Sequence, residues 1–250
     1  MQHKTLLAAL VFTILSCGPA PTENDAIQQN QKGVELMDAG KPELALQEFM
    51  ASLENPKLTK LSKGTIYRNI ALAYDDLKKR DSSLHYYTIA AKSFTKNSYD
   101  YLVNMASVDL MTGRMSEALT RLTKAAAMSP DDLSVNNTLG LIYMGDYDEA
   151  YTDAEKALVY NKKAFDMDRG RITENILARN YYELEKYELA ETHFENILKQ
   201  YPADVDCNFS NGMIKYKLKN KAEGDKLFEK VLALDSTYKE AIDIFRENNK

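Results

Sequence analysis

Three histidines, His3, His85 and His193, and two cysteines, Cys17 and Cys207, are the residues from which a metal site or an activated nucleophile would have to be assembled. They are scattered, with no metal-ligand spacing among them and no cysteine–histidine pairing. Gly-rich phosphate loops and nucleophile-elbow patterns are absent. His85 and His193 stand beside Tyr86 and Phe194 in apolar-periodic stretches, where packing or exposure accounts for them better than catalysis does. The acidic pairs Asp75-Asp76 and Asp131-Asp132 fall at expected turns and helix ends and read as solvated charge. Asn136-Asn137-Thr138 and Asn208-Phe209-Ser210 match a glycosylation pattern but lie within expected helices. The expectation is a non-catalytic protein with no metal and no cofactor, whose function lies in its surface.

The elements that would present such a surface are legible in Leu102 to Asp132. Leu102 and Ala106 are one helical turn apart, Gly113 breaks the pattern, and Leu119, Leu122, Ala125 and Ala126 form a second apolar stripe that Pro130 ends. Small side chains at Ala106 and Ala118 let two antiparallel helices approach closely, while Leu122 fills the space beside them. A hairpin of this size cannot bury its faces alone, so further copies are expected.

They occur. The first small position recurs at Gly33, Ala71, Ala106, Gly140, Ala178 and Gly212, in steps of 38, 35, 34, 38 and 34 residues. A second follows twelve residues later at Ala45, Ser83, Ala118, Ala190 and Gly224, with Ala150 two residues early. Four beyond stand Phe49, Tyr87, Leu122, Ala154, Phe194 and Phe228 as fillers. Gly40 closes the first helix, and Pro42 takes an early helical position where its missing N–H costs nothing.

This pattern resembles the tetratricopeptide repeat family, whose 34-residue unit places small residues at these two positions together with an aromatic filler and a closing proline. The resemblance covers Ala26 to Tyr238; Arg171 to Asp204 carries Ala178, Tyr181, Tyr187, Ala190, Phe194 and Pro202 in register. It implies an all-α fold, a right-handed superhelical solenoid of helix-turn-helix units at 26–59, 64–97, 99–132, 133–170, 171–204 and 205–238. No unit has the family's first-helix Trp, and Asp109 and Lys215 replace its usual aromatic. Residues 239–250, with Ala241, Ile242 and Phe245 on one face, read as a capping helix. In the fourth unit, Tyr143 to Tyr147 shortens the turn and Ala150 to Asp168 reads as a long helix. The extra length is either an insertion on the outer face or a protruding helix end available for contact or dimerisation.

Ahead of the repeats, Gln2-His3-Lys4 precede the apolar stretch Leu6 to Leu15, which is too short to span a bilayer as a mature helix. Ile14-Leu15-Ser16-Cys17 resembles the lipobox of bacterial lipoproteins. That resemblance implies a signal peptide at 1–16, lipid attachment at Cys17 and a lipidated tether at 17–25; an ordinary secretory signal cut after Cys17 is the alternative. Several acyl chains on one cysteine make membrane attachment effectively stable, since each buried methylene contributes roughly 0.8 kcal/mol. Eight extended residues from Gly18 to Asp25 reach at most about 28 Å, so the repeats would ride close to the membrane. Gly18 is not the Asp that holds some lipoproteins at the inner membrane, which points to the outer one. With Cys17 lipidated, Cys207 is left without an intrachain partner and reads as a buried thiol. The processed chain has 31 basic and 37 acidic residues, a net of −6, and nothing in it favours nucleic acid.

In the family, first helices line a concave groove. Carried over by register, that places Arg68, Asn69 and Leu72 in it from the second unit and Asn104, Ser107 and Met111 from the third. The fourth supplies Asn137, Leu141 and Met144, the fifth Arg179 and Tyr182, and the sixth Phe209, Met213 and Tyr216. Amides, flexible Met side chains and aromatics in such a groove suit an extended peptide or a helix. The expected partner is therefore a protein or peptide, bound by a membrane-anchored scaffold that assists assembly of an envelope complex. Its identity and the oligomeric state are not legible. A glycan-binding accessory lipoprotein is the alternative, although the chain has no Trp for stacking and no long insertion.

Overall fold

A computed structural model describes residues 21–249; the expected signal peptide, Cys17 and the first part of the tether, to residue 20, lie outside them. The described residues form thirteen α-helices and two short 3-10 turns, with no strand. The helices pair in order: α1 (Glu23–Asp38) with α2 (Pro42–Leu53), α3 (Lys60–Asp76) with α4 (Arg80–Ser93), and α5 (Tyr99–Met111) with α6 (Met115–Met128). Then come α7 (Leu133–Tyr143) with α8 (Ala154–Met167), α9 (Arg171–Glu183) with α10 (Tyr187–Gln200), and α11 (Val205–Lys217) with α12 (Lys221–Leu234). α13 (Lys239–Asn248) follows. Each second helix also packs on the first helix of the next pair, so the array is a solenoid.

Local chemistry sets the ends of the helices. First helices start on side-chain caps at Thr22, Thr59, Ser98, Asp132 and Asp204, each accepting a backbone N–H of the first turn and contributing about 1 kcal/mol. Thr22 and Asp25 form a reciprocal capping box, so Glu23 to Asp25 belong to α1 and the expected tether ends three residues earlier than its composition suggests. The turns inside the pairs share one geometry. Gly40, Lys78, Gly113, Glu185 and Lys219 take positive φ, and the next residue donates its N–H back to a carbonyl five residues earlier, as Lys41 does to Leu36 and Arg114 to Asp109.

The small positions Gly33, Ala71, Ala106, Gly140, Ala178 and Gly212 are all buried, as are Ala45, Ser83, Ala118, Ala190 and Gly224 across from them. The fillers Phe49, Tyr87, Leu122, Phe194 and Phe228 are buried against them, each contributing roughly 1.5–3 kcal/mol of apolar transfer. Where the aromatic is missing, charge is buried in a network instead. Asp109 receives Arg114 at 2.8 Å and Arg121 at 2.6 Å, and Lys215 reaches Glu191 at 2.7 Å, with Glu195 and Glu223 each at 3.5 Å.

The fourth pair departs from the sequence expectation. α8 begins at Ala154 and is no longer than α6 or α10, so there is no extended or protruding helix. The small residue is Ala157 and the filler Asn161, both buried, whereas Ala150 is exposed in a 3-10 turn and Ala154 opens the helix. α7 stops early at the positive-φ Gly145, and the extra residues form the segment from Asp146 to Asp153, held where the Asp153 N–H donates to the Tyr143 carbonyl at 2.8 Å. The small and filler positions of that pair therefore stand seven residues beyond Ala150 and Ala154, because the segment before Ala154 belongs to neither helix of the pair.

At the C-terminus, Ile242 is fully buried and Phe245 meets Tyr216 and Phe228 edge-on, with ring centroids at 5.4 and 5.7 Å. Ala241 is exposed rather than part of this face. Arg246 fastens the cap to Asp225 at 2.7 Å.

Candidate protein-binding face

The first helices carry two recesses. One, of about 320 Å³, spans the second to fourth pairs; Leu72, Asp75, Ser107, Met111, Thr138 and Tyr147 are among its walls, over Tyr87, Val103, Leu122 and Val135. The other, of about 480 Å³, lies between α9 and α11 and includes Arg171, Asn175, Arg179, Asp206, Phe209 and Tyr238. The first combines an apolar floor with a mixed rim. In the second, the charges are matched internally: Arg171 to Asp204 at 3.3 Å, Arg179 to Asp146 through two hydrogen bonds of 2.8 and 3.2 Å, and the Tyr238 hydroxyl to Asp206.

The structure brings Leu72, Ser107 and Met111 together in the first recess and Arg179 and Phe209 in the second. Arg68 is half-buried, near enough to Tyr87 and Tyr99 for its charge to offset part of the burial that raises their phenol pKa values. Asn69 is spent on Asn30, donating to its Oδ1 at 2.9 Å. Asn137, Leu141 and Met144 are half-buried on α7 and its end. Tyr182 lies edge-on to Tyr187 at 5.6 Å, with burial pushing its phenol up. Phe209 also packs on Tyr238 at 5.3 Å, and Met213 packs against the last apolar cluster.

Two expected groove residues are interior. Asn104 is fully buried, its Nδ2 donating to the Asp100 carbonyl at 2.7 Å. It shares a helical face with Ser107 and Met111 but stands nearer the start of α5, where its side chain folds back onto the first turn. Tyr216 is buried under α13, its ring on Phe228 and Phe245 and its hydroxyl donating to Asp225. The cap covers what the register alone would leave open.

Of the opening inventory, His3 and Cys17 lie outside the described residues, while Cys207 packs inside an apolar cluster. His85 is exposed beside Tyr86, and His193 is held between Glu174 at 3.1 Å and the stacked ring of Tyr181. Burial pushes the Cys207 thiol up to about 12, so at neutral pH it is not a nucleophile. Asn136 and Asn208 are buried, each donating Nδ2 to carbonyls of the preceding turn, Pro130 and Asp132 for one and Pro202 and Asp204 for the other. No group of three or more His, Cys, Asp or Glu among the described residues could hold a metal ion. Sequence reasoning missed Tyr147, Asp75 and Arg80 in the first recess. Asp75 could have been found from its place one helical turn beyond Leu72; Tyr147 could not, because the register of the fourth pair was misread.

Residues 177–239 match the tetratricopeptide repeat family. No curated protein matches the chain. Among solved structures, the chain is similar to the APC/C hetero-tetramer Cut9–Hcn1, with a TM-score of 0.70 and 17% identity over 90% of this chain and 44% of that one. It thus spans under half the length of that relative. The Pseudomonas aeruginosa pilF structure is similar with a TM-score of 0.65 and 16% identity, covering 90% of this chain and 99% of the other. YrrB, a tetratricopeptide-repeat protein with an unusual peptide-binding site, is similar with a TM-score of 0.58 and 14% identity over 79% and 97%. At these identities the likeness is one of fold. Residues 177–239 carry the repeat in their sequence and the preceding hairpins repeat its packing, so the described residues have the fold of a tetratricopeptide-repeat solenoid.

Proposed function

We propose that this protein is a non-catalytic scaffold that holds an extended or helical segment of a protein partner on its first-helix face, tethered to the bacterial envelope by lipid on Cys17. The observation that carries the binding half is the first recess: a water-accessible hollow with an apolar floor and a few polar groups at its rim, the general form of a recognition site. The peptide-binding site named for YrrB, on a similar fold, supports the same reading. The anchoring half rests on Ile14-Leu15-Ser16-Cys17. No helix among the described residues is long and apolar enough to cross a membrane. Gly18 favours the outer membrane, and a scaffold held close to that surface suits assembly of an envelope complex.

A photoreactive amino acid at position 107, introduced into the full-length protein in intact cells, should give a discrete crosslinked protein that Tyr147→Ala weakens; crosslinks indifferent to Tyr147 would overturn the binding site. Cys17→Ala should abolish labelling by a fatty-acid analogue and release the protein from membranes. Persistent labelling of that variant would overturn the anchor.

A further inference from the structure

One corner of the solenoid is tied to the point where the expected tether enters it. The Asn55 Nδ2 donates to the Thr22 carbonyl at 2.6 Å, and Glu23 Oε1 accepts the Thr59 N–H at 3.0 Å and the Ser62 hydroxyl at 2.5 Å. These bonds fasten the turn between α2 and α3, together with the first turn of α3, to the start of α1. Because α1 begins on the Thr22 cap and Thr22 is five residues after Cys17, the whole corner starts within at most about 18 Å of that cysteine.

The corner carries an apolar side chain that the fold does not use. Leu61, the second residue of α3, is 60% exposed and lines neither recess, whereas Leu58 beside it is buried. In four of the other first helices the same position is polar, as Asn24, Asp100, Ser134 and Asp206. Its apolar counterpart in the fifth pair, Ile172, lines the second recess. Ile27, one turn into α1, is a further exposed aliphatic residue at this end of the molecule. Charge does not distinguish the corner, since Lys57, Lys60 and Lys63 stand against Glu23, Asp25 and Glu54. Apolar exposure within reach of the lipid-bearing residue does.

Resting on the lipid anchor read at Cys17, we propose that this corner seats in the surface of the same bilayer. Leu61 enters the boundary between headgroups and acyl chains, and Lys57 and Lys60 lay their stems along it with their ammonium groups among the headgroups. One leucine would not hold a free protein at a bilayer. The anchor makes the contact intramolecular, at an effective concentration on the order of millimolar for a short linker, so a weak contact suffices. The seat also orients the binding face: Leu72, at the first recess, is about 16 Å along α3 from Leu61, so the recess is held near the lipid surface instead of swinging on the tether.

The test uses the full-length acylated lipoprotein in phosphatidylcholine vesicles with and without doxyl-labelled lipid. A nitrobenzoxadiazole fluorophore is attached through Leu61→Cys or, at the equivalent position of the fifth pair, through Ile172→Cys; Cys207 is buried and stays unlabelled. Both proteins are checked for flotation with the vesicles and for an unchanged helical thermal transition. The label at position 61 should be quenched at least about twofold by the doxyl lipid, as a side chain in the headgroup and acyl boundary requires, while the label at position 172 is not. Vesicle-bound protein whose two labels are both unquenched, or are quenched equally, would overturn the seat and leave the anchor intact. Protein that fails to float would overturn the anchor and the seat together. A label at position 61 that stays unquenched on vesicles, with a photoreactive residue there capturing a protein in intact cells, would assign the corner to a protein partner and overturn the lipid seat.

Discussion

The fourth and fifth pairs solve one packing problem in two ways. In the fifth, Ala178 and Ala190 bring α9 and α10 together and Phe194, 1% exposed, fills the space. In the fourth, Gly140 faces Asn161, equally buried, whose Nδ2 donates to Asn180 Oδ1 at 3.0 Å while Asn180 Nδ2 donates to the Ala154 carbonyl at 2.9 Å. An apolar filler works without a specific partner. A polar one needs partners, and Asn161 finds one for its Nδ2 only by reaching into the next pair, while its Oδ1 is buried against Gly140 without a partner. The fourth pair therefore depends on its neighbour more than the fifth does. Its turn is also the one that lengthened and that places Tyr147 in the first recess, so the least regular unit carries the most distinctive surface.

The comparison can be broken most sharply at the fillers. Phe194→Ala should cost about 3–5 kcal/mol in urea denaturation, since it leaves a large apolar cavity. Asn161→Ala should cost about 1–3 kcal/mol, chiefly by orphaning Asn180 Oδ1; a loss equal to that of Phe194→Ala would mean that the polar pair is as strong as the aromatic. Next come the small residues. A methyl at Gly140 would stand 1.7 Å from Asn161 Oδ1, so Gly140→Ala should destabilise by about 1–2 kcal/mol, and the Gly140→Ala/Asn161→Ala double variant should cost less than the sum of the two. Additive costs would show that the two residues do not share the space.

A smaller difference lies at the start of the second helices. α8 is capped by Asp153, which accepts the Lys156 N–H at 3.0 Å, whereas α10 starts at Lys186 without a side-chain cap. The hydrogen bond from Lys156, followed by its backbone N–H, holds the Asp153 carboxyl below its ordinary value. A carboxylate lowered in the folded state stabilises above its unfolded pKa, near 3.9, and loses that contribution as pH falls through the folded value. Amides in the first turn of α8 should therefore lose hydrogen-exchange protection relative to those of α10 as pH drops below about 4. Asp153→Ala should remove the pH dependence, and a parallel loss in α10 would sink the assignment. Smallest of all, Lys124→Ala on the exposed face of α6 should change stability by no more than about 0.5 kcal/mol, setting the baseline for the other variants.

Much of the fold was legible because the repeat constrains each position six times over. A helix pair must be narrow where its axes cross, so Gly33, Ala71, Ala106, Ala178 and Gly212 announce themselves by size and spacing, and the caps at Ser98, Asp132 and Asp204 follow from local hydrogen bonding. The binding face was only partly legible. Leu72, Ser107 and Met111 follow from helical register, but the burial of Asn104 and Tyr216 does not, because it depends on what packs over the start of α5 and on the cover given by α13. Asp75 is solvated, as its place near a helix end implies, but that it lines an apolar recess depends on side chains from other helices.

Periodicity and side-chain size, both short-range properties, determined in the sequence that this chain is a stack of helical hairpins, and Cys17 with its neighbours determined the expectation of a lipid anchor. Tertiary structure alone decided that Asn161 would stand in for an aromatic, that Asp109 and Lys215 would be buried in ion networks, and that Tyr147 and Asp75 would share one recess. Each of those outcomes depends on residues brought together from different helices, where the cost of burying a polar group is settled by partners that no single stretch of sequence contains.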